Sequence, residues 1–231
     1  MSVINEFGQP TGEAMVAWCA RPRPSLRRIE GRYCTLVPTT LAHARELFAA
    51  YGKVPEDWTY VPYGPFDTFA EFEAYIGAME NGKDPLHFTV LDNATGRPGG
   101  TLALMRIRPE YGVMEVGHVV FSQRLKKTAM ATEAHYLLMK EVFDALGYRR
   151  YEWKCDSLNQ PSQRAAARLG FVFEGVFRQA LIYKGRTRDT AWLSIIDKQW
   201  CDVKRALEAW LAPENFSDGQ QRQPLARFMP R

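Results

Sequence analysis

EVGHVVFSQRLKKTAMATEAHYLL, residues 115–138, decides the fold. Its first part, EVGHVVF (115–121), is an apolar run of strand length. Its last part opens TEAHYLLMKEVFDAL (132–146), where Ala134, Leu137, Leu138, Val142 and Ala145 form one stripe at helical spacing and Gly147 follows as a stop. The loop between them leads to a helix N-terminus. The first turn of a helix has N–H groups with no intrahelical acceptor and a partial positive charge, so a phosphate could bind there. Yet the loop has no glycine. Lys126 and Lys127 bring charge, and Thr128 can cap the helix and donate to an oxygen. Taken alone, the same residues also suit an ordinary surface turn.

RYEWKC (150–155) alternates as a strand, with Tyr151, Trp153 and Cys155 on one side and Glu152 and Lys154 on the other. A right-handed crossover through the helix makes 115–121 and 150–155 parallel neighbours. Working outward, YCTLVP (33–38) is a strand. TTLAHARELFAAY (39–51) is a helix capped by Thr39 or Thr40, and DTFAEFEAYIGAME (67–80) is a second, opened by Asp67. HFTVLD (87–92) and GTLALMRIRP (100–109) make a hairpin. PSQRAAARL (161–169) is a short helix, residues 171–196 form a long hairpin turning at Lys184-Gly185, and Trp200 to Leu211 is the last helix. The pattern predicts an α/β fold with a mixed, mostly antiparallel central sheet flanked by helices. Residues 1–30 form an N-terminal arm, 31–212 the main domain, and 213–231 a loose C-terminal tail.

Composition limits the function. Thirty basic and 26 acidic residues give a net charge of +4, too mild to point to nucleic acid. The most basic run, RPRPSLRR (21–28), is short, broken by two prolines, and reads as a solvated connector. Cys19, Cys34, Cys155 and Cys201 have no metal-ligand spacing, so no metal site is expected, and they fit a reducing cytoplasm. No stretch suits a signal peptide or a spanning helix. An exposed strand or the aromatic loop WTYVPYGPF (58–66) could make a homodimer.

A second set of residues makes the reading specific. Glu115-Val116-Gly117, Arg124 to Ala134, Asn159-Gln160-Pro161-Ser162, Leu169-Gly170-Phe171 and Glu174-Gly175 occur in order. Together they resemble the GNAT superfamily of acyl-CoA-dependent N-acetyltransferases, in the RimJ/RimL-like branch, over about residues 31–200. That branch shows E-x-G, then R-x-x-G-x-G/A-x-A-T-E-A, then N-x-x-S, L-G-F and a glutamate-glycine. One departure stands in the loop: Lys127 occupies the place of the first glycine. A lysine there costs on the order of 1 kcal/mol if a left-handed backbone is needed.

The resemblance implies that the two parallel strands splay apart and that acetyl-CoA lies in the gap. Val119, Val120 and Phe121 would pair with its pantetheine arm. The stretch around Arg124, Lys126, Lys127, Thr128, Ala129 and Met130 would hold its pyrophosphate, and Asn159 and Ser162 would lie near the thioester. It implies direct attack by a primary amine, either a protein N-terminus or a small-molecule amine. Glu115 is the first candidate base, with an ion-paired strand-end glutamate as the other reading. His118, placed by alternation on the opposite face, and Asp156 are further candidates. Ala166 stands where many relatives have a tyrosine that protonates the leaving thiolate, which leaves Ser162 for that role. Trp58, Tyr60 and Tyr63 could wall the acceptor groove or form a satellite core. The alternative is a catalytically inactive acyl-CoA-binding or regulatory protein on the same fold, which Lys127 and Ala166 favour.

Overall fold

The computed structural model of the protein describes residues 3–52, 54–217 and 219–230. Twelve strands and five α-helices occur among them. A small hairpin, β1 (Val3–Ile4) with β2 (Pro10–Thr11), precedes β3 (Ile29–Glu30), β4 (Cys34–Pro38), α1 (Ala44–Tyr51), α2 (Phe69–Glu80), β5 (Leu86–Asp92), β6 (Pro98–Arg108) and β7 (Val113–Phe121). Then follow α3 (Ala129–Lys140), β8 (Arg150–Asp156), α4 (Gln160–Arg168), β9 (Val172–Tyr183), β10 (Arg186–Ile196), α5 (Asp197–Leu211), β11 (Phe216–Ser217) and β12 (Gln220–Gln221). Eight strands form one sheet in the order β3-β4-β5-β6-β7-β8-β10-β9. Every neighbouring pair is antiparallel except β7 and β8, which are parallel.

Two apolar clusters cover the sheet's two faces. The larger joins Leu36, Phe88, Leu104, Val116, Tyr151 and Trp153 to residues of α3, α4 and α5. The smaller joins Ala44, Leu47, Tyr51, Trp58, Phe72 and Ile76 of the α1–α2 region to Val120.

Several boundaries depart from the periodicity. Thr68, not Asp67, caps α2: its hydroxyl accepts from Glu71 N at 3.3 Å, while the Glu71 carboxylate accepts from the N–H groups of Asp67 and Thr68. The helix after the loop begins at Ala129, three residues before the expected start at Thr132, because Thr128 caps it by accepting from Ala131 N at 3.2 Å. Its last turn, Glu141–Ala145, widens into a π-helix before Gly147. The final helix begins at Asp197 rather than Trp200.

The expected loose tail is not loose. Asn215 is buried and bonds Trp210 O, Gln223 O and Gln223 N, and Leu225 enters the larger core. A segment without apolar period can still be held by one buried amide that satisfies its backbone. The N-terminal arm is tied down too. Trp18 donates to Glu110 O at 2.8 Å, Arg21 N to Pro109 O at 3.0 Å, and Arg27 pairs with Glu141.

Glu133 of α3 fixes the start of β4. Its carboxylate is buried and accepts three backbone N–H groups, from Arg32 (2.8 Å), Tyr33 (2.6 Å) and Cys34 (2.8 Å). Gly31 is required beside it, since a Cβ there would stand 2.7 Å from the carboxyl carbon. Glu133→Ala strands three donors in a closed site. We expect it to lower the unfolding free energy by on the order of 3 kcal/mol, read from urea denaturation.

Candidate active site

The β7–β8 ladder is short. Pairing runs from Val113↔Arg150 to Val116↔Trp153 and then stops. Beyond that point β7 stays with β6, through Gly117↔Ala103, Val120↔Thr101 and Phe121↔Gly100, while β8 stays with β10, through Cys155↔Ala191 and Asp156↔Thr190. A gap therefore opens between residues 117–121 and 154–156, and β7 backbone groups on that side have no strand partner.

A bulge in β7 accompanies the divergence. Three residue steps, Gly117 to Val120, face two on β6, and His118 takes φ 50°. The extra residue resets the alternation. His118 does not lie opposite Glu115, as strict alternation requires; it turns to the α1–α2 face, where its ring stacks on Tyr63 at 5.3 Å and meets His87 edge-on at 4.8 Å. On the other face, His135 of α3 sits between Phe121 (5.6 Å) and Trp153 (5.1 Å), one ring from each diverging strand.

An ion cluster holds the closed end. Glu115 is buried, and its Oε2 accepts from Lys154 Nζ (2.8 Å) and Arg106 (2.7 Å). Lys154 also binds Glu152 at 2.7 Å, and Arg150 joins Glu152 to Glu174. The ion-pair reading of Glu115 thus holds for Oε2. Its Oε1 has no donor among the described residues. Gly117 permits this packing, because a Cβ there would meet Met105 Sδ at 2.2 Å.

At the open end, the loop after β7 forms a nest. Ser122 O accepts from the N–H groups of Leu125 and Lys126, both at 3.0 Å. The N–H groups of Lys127, Thr128, Ala129 and Met130 have no acceptor among the described residues. Lys127 has φ 62°, so the lysine adopts the left-handed backbone that glycine takes without cost. The loop geometry is kept and the residue type pays in strain. Lys126 is drawn away from the nest by Asp57 at 2.6 Å, and Arg124 is held by Pro98 O. Arg124 also lines a cavity of about 570 Å³ with Arg97 and Glu46, which flanks the loop on the α1 side.

Across the gap, Asn159 caps α4. Its Oδ1 accepts from Ser162 N at 3.1 Å, which leaves the Nδ2 donors free. Ser162 Oγ accepts from Trp153 Nε1 at 2.9 Å. Asp156 is spent on structure, accepting from Leu158 N and the Tyr183 hydroxyl, both at 2.8 Å. Ala166 is fully buried. Cys155 is buried and its thiol pKa is raised by that burial.

These elements match known proteins. Residues 34–172 match the model of the acetyltransferase (GNAT) domain. The chain belongs to the GNAT acetyltransferase family. A GCN5-related N-acetyltransferase from Brucella melitensis is 47% identical, with TM-score 0.89 over 91% of this chain and 97% of that one. A protein from Chromobacterium violaceum ATCC 12472, described as a probable acetyltransferase of the GNAT family, is 35% identical, with TM-score 0.78 over 84% and 98%. The microcin C7 self-immunity acetyltransferase MccE, solved with acetyl-CoA and AMP, shares the fold at 20% identity, with TM-score 0.64 over 72% and 93%. No curated protein matches the sequence.

Among GNAT features of this chain, the aromatic loop divides. Trp58 is buried among Tyr51, Tyr63 and Phe66, so it belongs to the satellite core, not to a groove wall. Its carbonyl accepts from Lys184 Nζ at 2.7 Å, which joins the loop to the tip of the β9–β10 hairpin. Tyr63 is partly buried and carries the stack on His118; Tyr60 is also partly buried. The sequence reading missed His87, Tyr75 and Arg106. His87 alternates with Phe88 in β5, a signal that marks its face but not its neighbour.

Burial keeps the histidines neutral. His87 is pushed down to about 4 by burial and by His118, and His135 to about 4 by burial. His118 is lowered by burial first and Arg106 second.

Two expectations follow. Unfolded, His87 and His135 protonate near 6.5, whereas folded they do so only near 4. Their contribution to stability is full above pH 6.5 and is lost as pH falls toward 4, by up to about 1.4 kcal/mol per pH unit each. Urea unfolding between pH 7 and pH 5 should show this decline, and His87→Asn should make it shallower. Lys127→Gly relieves the left-handed strain, offset in part by a freer unfolded chain, and should raise the unfolding free energy by a net few tenths up to about 1 kcal/mol.

Proposed function

We propose that this GNAT protein transfers an acetyl group from acetyl-CoA to a primary amine, a protein N-terminus or a small-molecule amine. The observation that carries the reading is the end of the β7–β8 ladder at Val116/Trp153, with an anion nest at the mouth of the gap. Acetyl-CoA supplies an activated thioester carbonyl. The chain's own groups suit its parts. The N–H groups of 127–130, with the α3 dipole and the Lys127 charge, meet a pyrophosphate. The gap-side backbone of Val119 to Phe121 suits an amide-bearing arm, Asn159 Nδ2 donates to it, and the Ser162 hydroxyl faces the sulfur end. We assign the RimJ/RimL-like branch from the motifs between Glu115 and Gly175, and a cytoplasmic setting; no helix among the described residues is long and apolar enough to cross a membrane.

The attacking amine must be neutral, and a base must take its proton. Two groups on the α1–α2 face can serve. Glu115 offers Oε1, directly or through water. His118 is neutral near pH 7 because of its burial; its Nδ1 is enclosed without a partner, which leaves Nε2 to meet an acceptor. Tyr63 borders the same space through its stack on His118. The inactive reading loses its main support with Lys127, whose backbone takes the glycine conformation.

Asn159→Asp tests the assignment. It keeps the oxygen that caps α4 and removes the Nδ2 donors. Calorimetric titration should show acetyl-CoA binding weakened about tenfold, or about 1.4 kcal/mol, with unfolding unchanged. Wild-type affinity in this variant removes Asn159 from the cofactor site, and no binding by the wild type sinks the acetyltransferase reading. Glu115→Gln and His118→Asn are then compared in steady-state assays against a panel of amines. Loss of the true base lowers kcat by about 10²-fold or more and abolishes the acid limb of the pH profile.

A further inference from the structure

We infer that β9 is the contact strand of a two-fold dimer of this chain. β9 ends the sheet: β10 pairs with one edge, and no described strand pairs with the other. It is twelve residues long and contains neither lysine nor proline; its guards are limited to Glu174, Arg178 and two bulges against β10. Val172, Phe173, Val176, Phe177, Leu181 and Ile182 are all exposed on it, six of the fourteen large apolar side chains exposed among the described residues. An edge this long and apolar needs a cover.

The order of its residues favours a second copy. Val172-Phe173 recurs as Val176-Phe177 around Glu174-Gly175. An antiparallel copy placed about a two-fold axis between Glu174 and Gly175 sets Val172 against Phe177 and Phe173 against Val176. The faces agree as well. Phe177 contacts Trp192 at 4.5 Å, on the side where Lys154 lies over Trp192, and Val172 opposes Ser194 on that side. Phe173 opposes Leu193 and Val176 opposes Ala191, both in the larger core on the other side. Each face then gains two aromatic–β-branched cross-strand pairs, the kind that stabilise sheets. The axis carries no free charge, because Glu174 is already bound by Arg150 at 2.7 and 2.5 Å and by Ser194 at 2.7 Å. A strand from an unrelated protein would meet this pattern only by chance, whereas a second copy meets it by symmetry.

Sedimentation of the full chain at micromolar concentration tests the proposal. The expected species has twice the chain mass, and Val176→Lys should shift it to the monomer with an unchanged circular dichroism spectrum. The register is read in a Cys19→Ser/Cys201→Ser background. There Phe173→Cys/Val176→Cys should be joined across the dimer by a short bifunctional thiol reagent, and Leu181→Cys should not. A monomeric wild type overturns the proposal. So does a dimer that survives Val176→Lys and gives no cross-link at 173/176. Neither result touches the acetyltransferase reading, which calorimetry of the same samples follows independently.

Discussion

The site depends on where one parallel ladder stops. Four residue pairs hold β7 to β8, and the fifth does not form. Each strand leaves with its antiparallel neighbour, so neither loses its sheet when the two part. The His118 bulge bends β7, and His135, seated between Phe121 and Trp153, fills the space beneath the divergence. At the closed end, the Glu115, Lys154, Glu152 and Arg150 cluster ties the same two strands together. A gap of fixed shape results from a clamp at one end and a wedge at the other. Such a gap exposes strand backbone that is ready to pair with an extended ligand.

The mouth of the gap presents free N–H groups without a glycine in the loop. Positive φ at Lys127 costs strain that a glycine would avoid, but the lysine brings a positive charge to the loop that carries the free N–H groups of the α3 N-terminus. Strain and charge oppose each other in free energy and serve the same geometry. Lys126, by contrast, is taken up by Asp57, which anchors the loop to the turn before Trp58.

In the proposed function, acceptor and donor sides are built by different parts of the chain. The donor side is continuous in sequence, running from β7 through α3 and β8 to α4. The acceptor side is assembled from the aromatic loop, His87 on β5, His118 on β7 and the tip of the β9–β10 hairpin, joined by stacking and by the Lys184–Trp58 hydrogen bond. The same hairpin carries the exposed edge, so a contact on β9 would act on the strand pair that closes the acceptor side.

Sequence by itself determined the main helices and strands and the parallel pair, and the resemblance to the GNAT family marked the motif residues around the gap. The reason is locality: strand alternation, the apolar stripe of 134–145 and the Asn159 cap each depend on neighbours within a few positions. It located the loop and named Lys127 as its anomaly. Tertiary structure alone decided the rest. A single inserted residue at His118 moved it onto the face of Glu115, because a bulge cannot be read from alternation. The two cations on Glu115 come from β6 and β8, the three donors on Glu133 come from a turn a hundred residues away, and the core of Trp58 comes from α1 and the aromatic loop. The tail was misread for the same reason, since Asn215 and Leu225 carry no period and are ordered only by what they meet. Local pattern set which residues form each element. Long-range packing and charge pairing set which of them remain free to act.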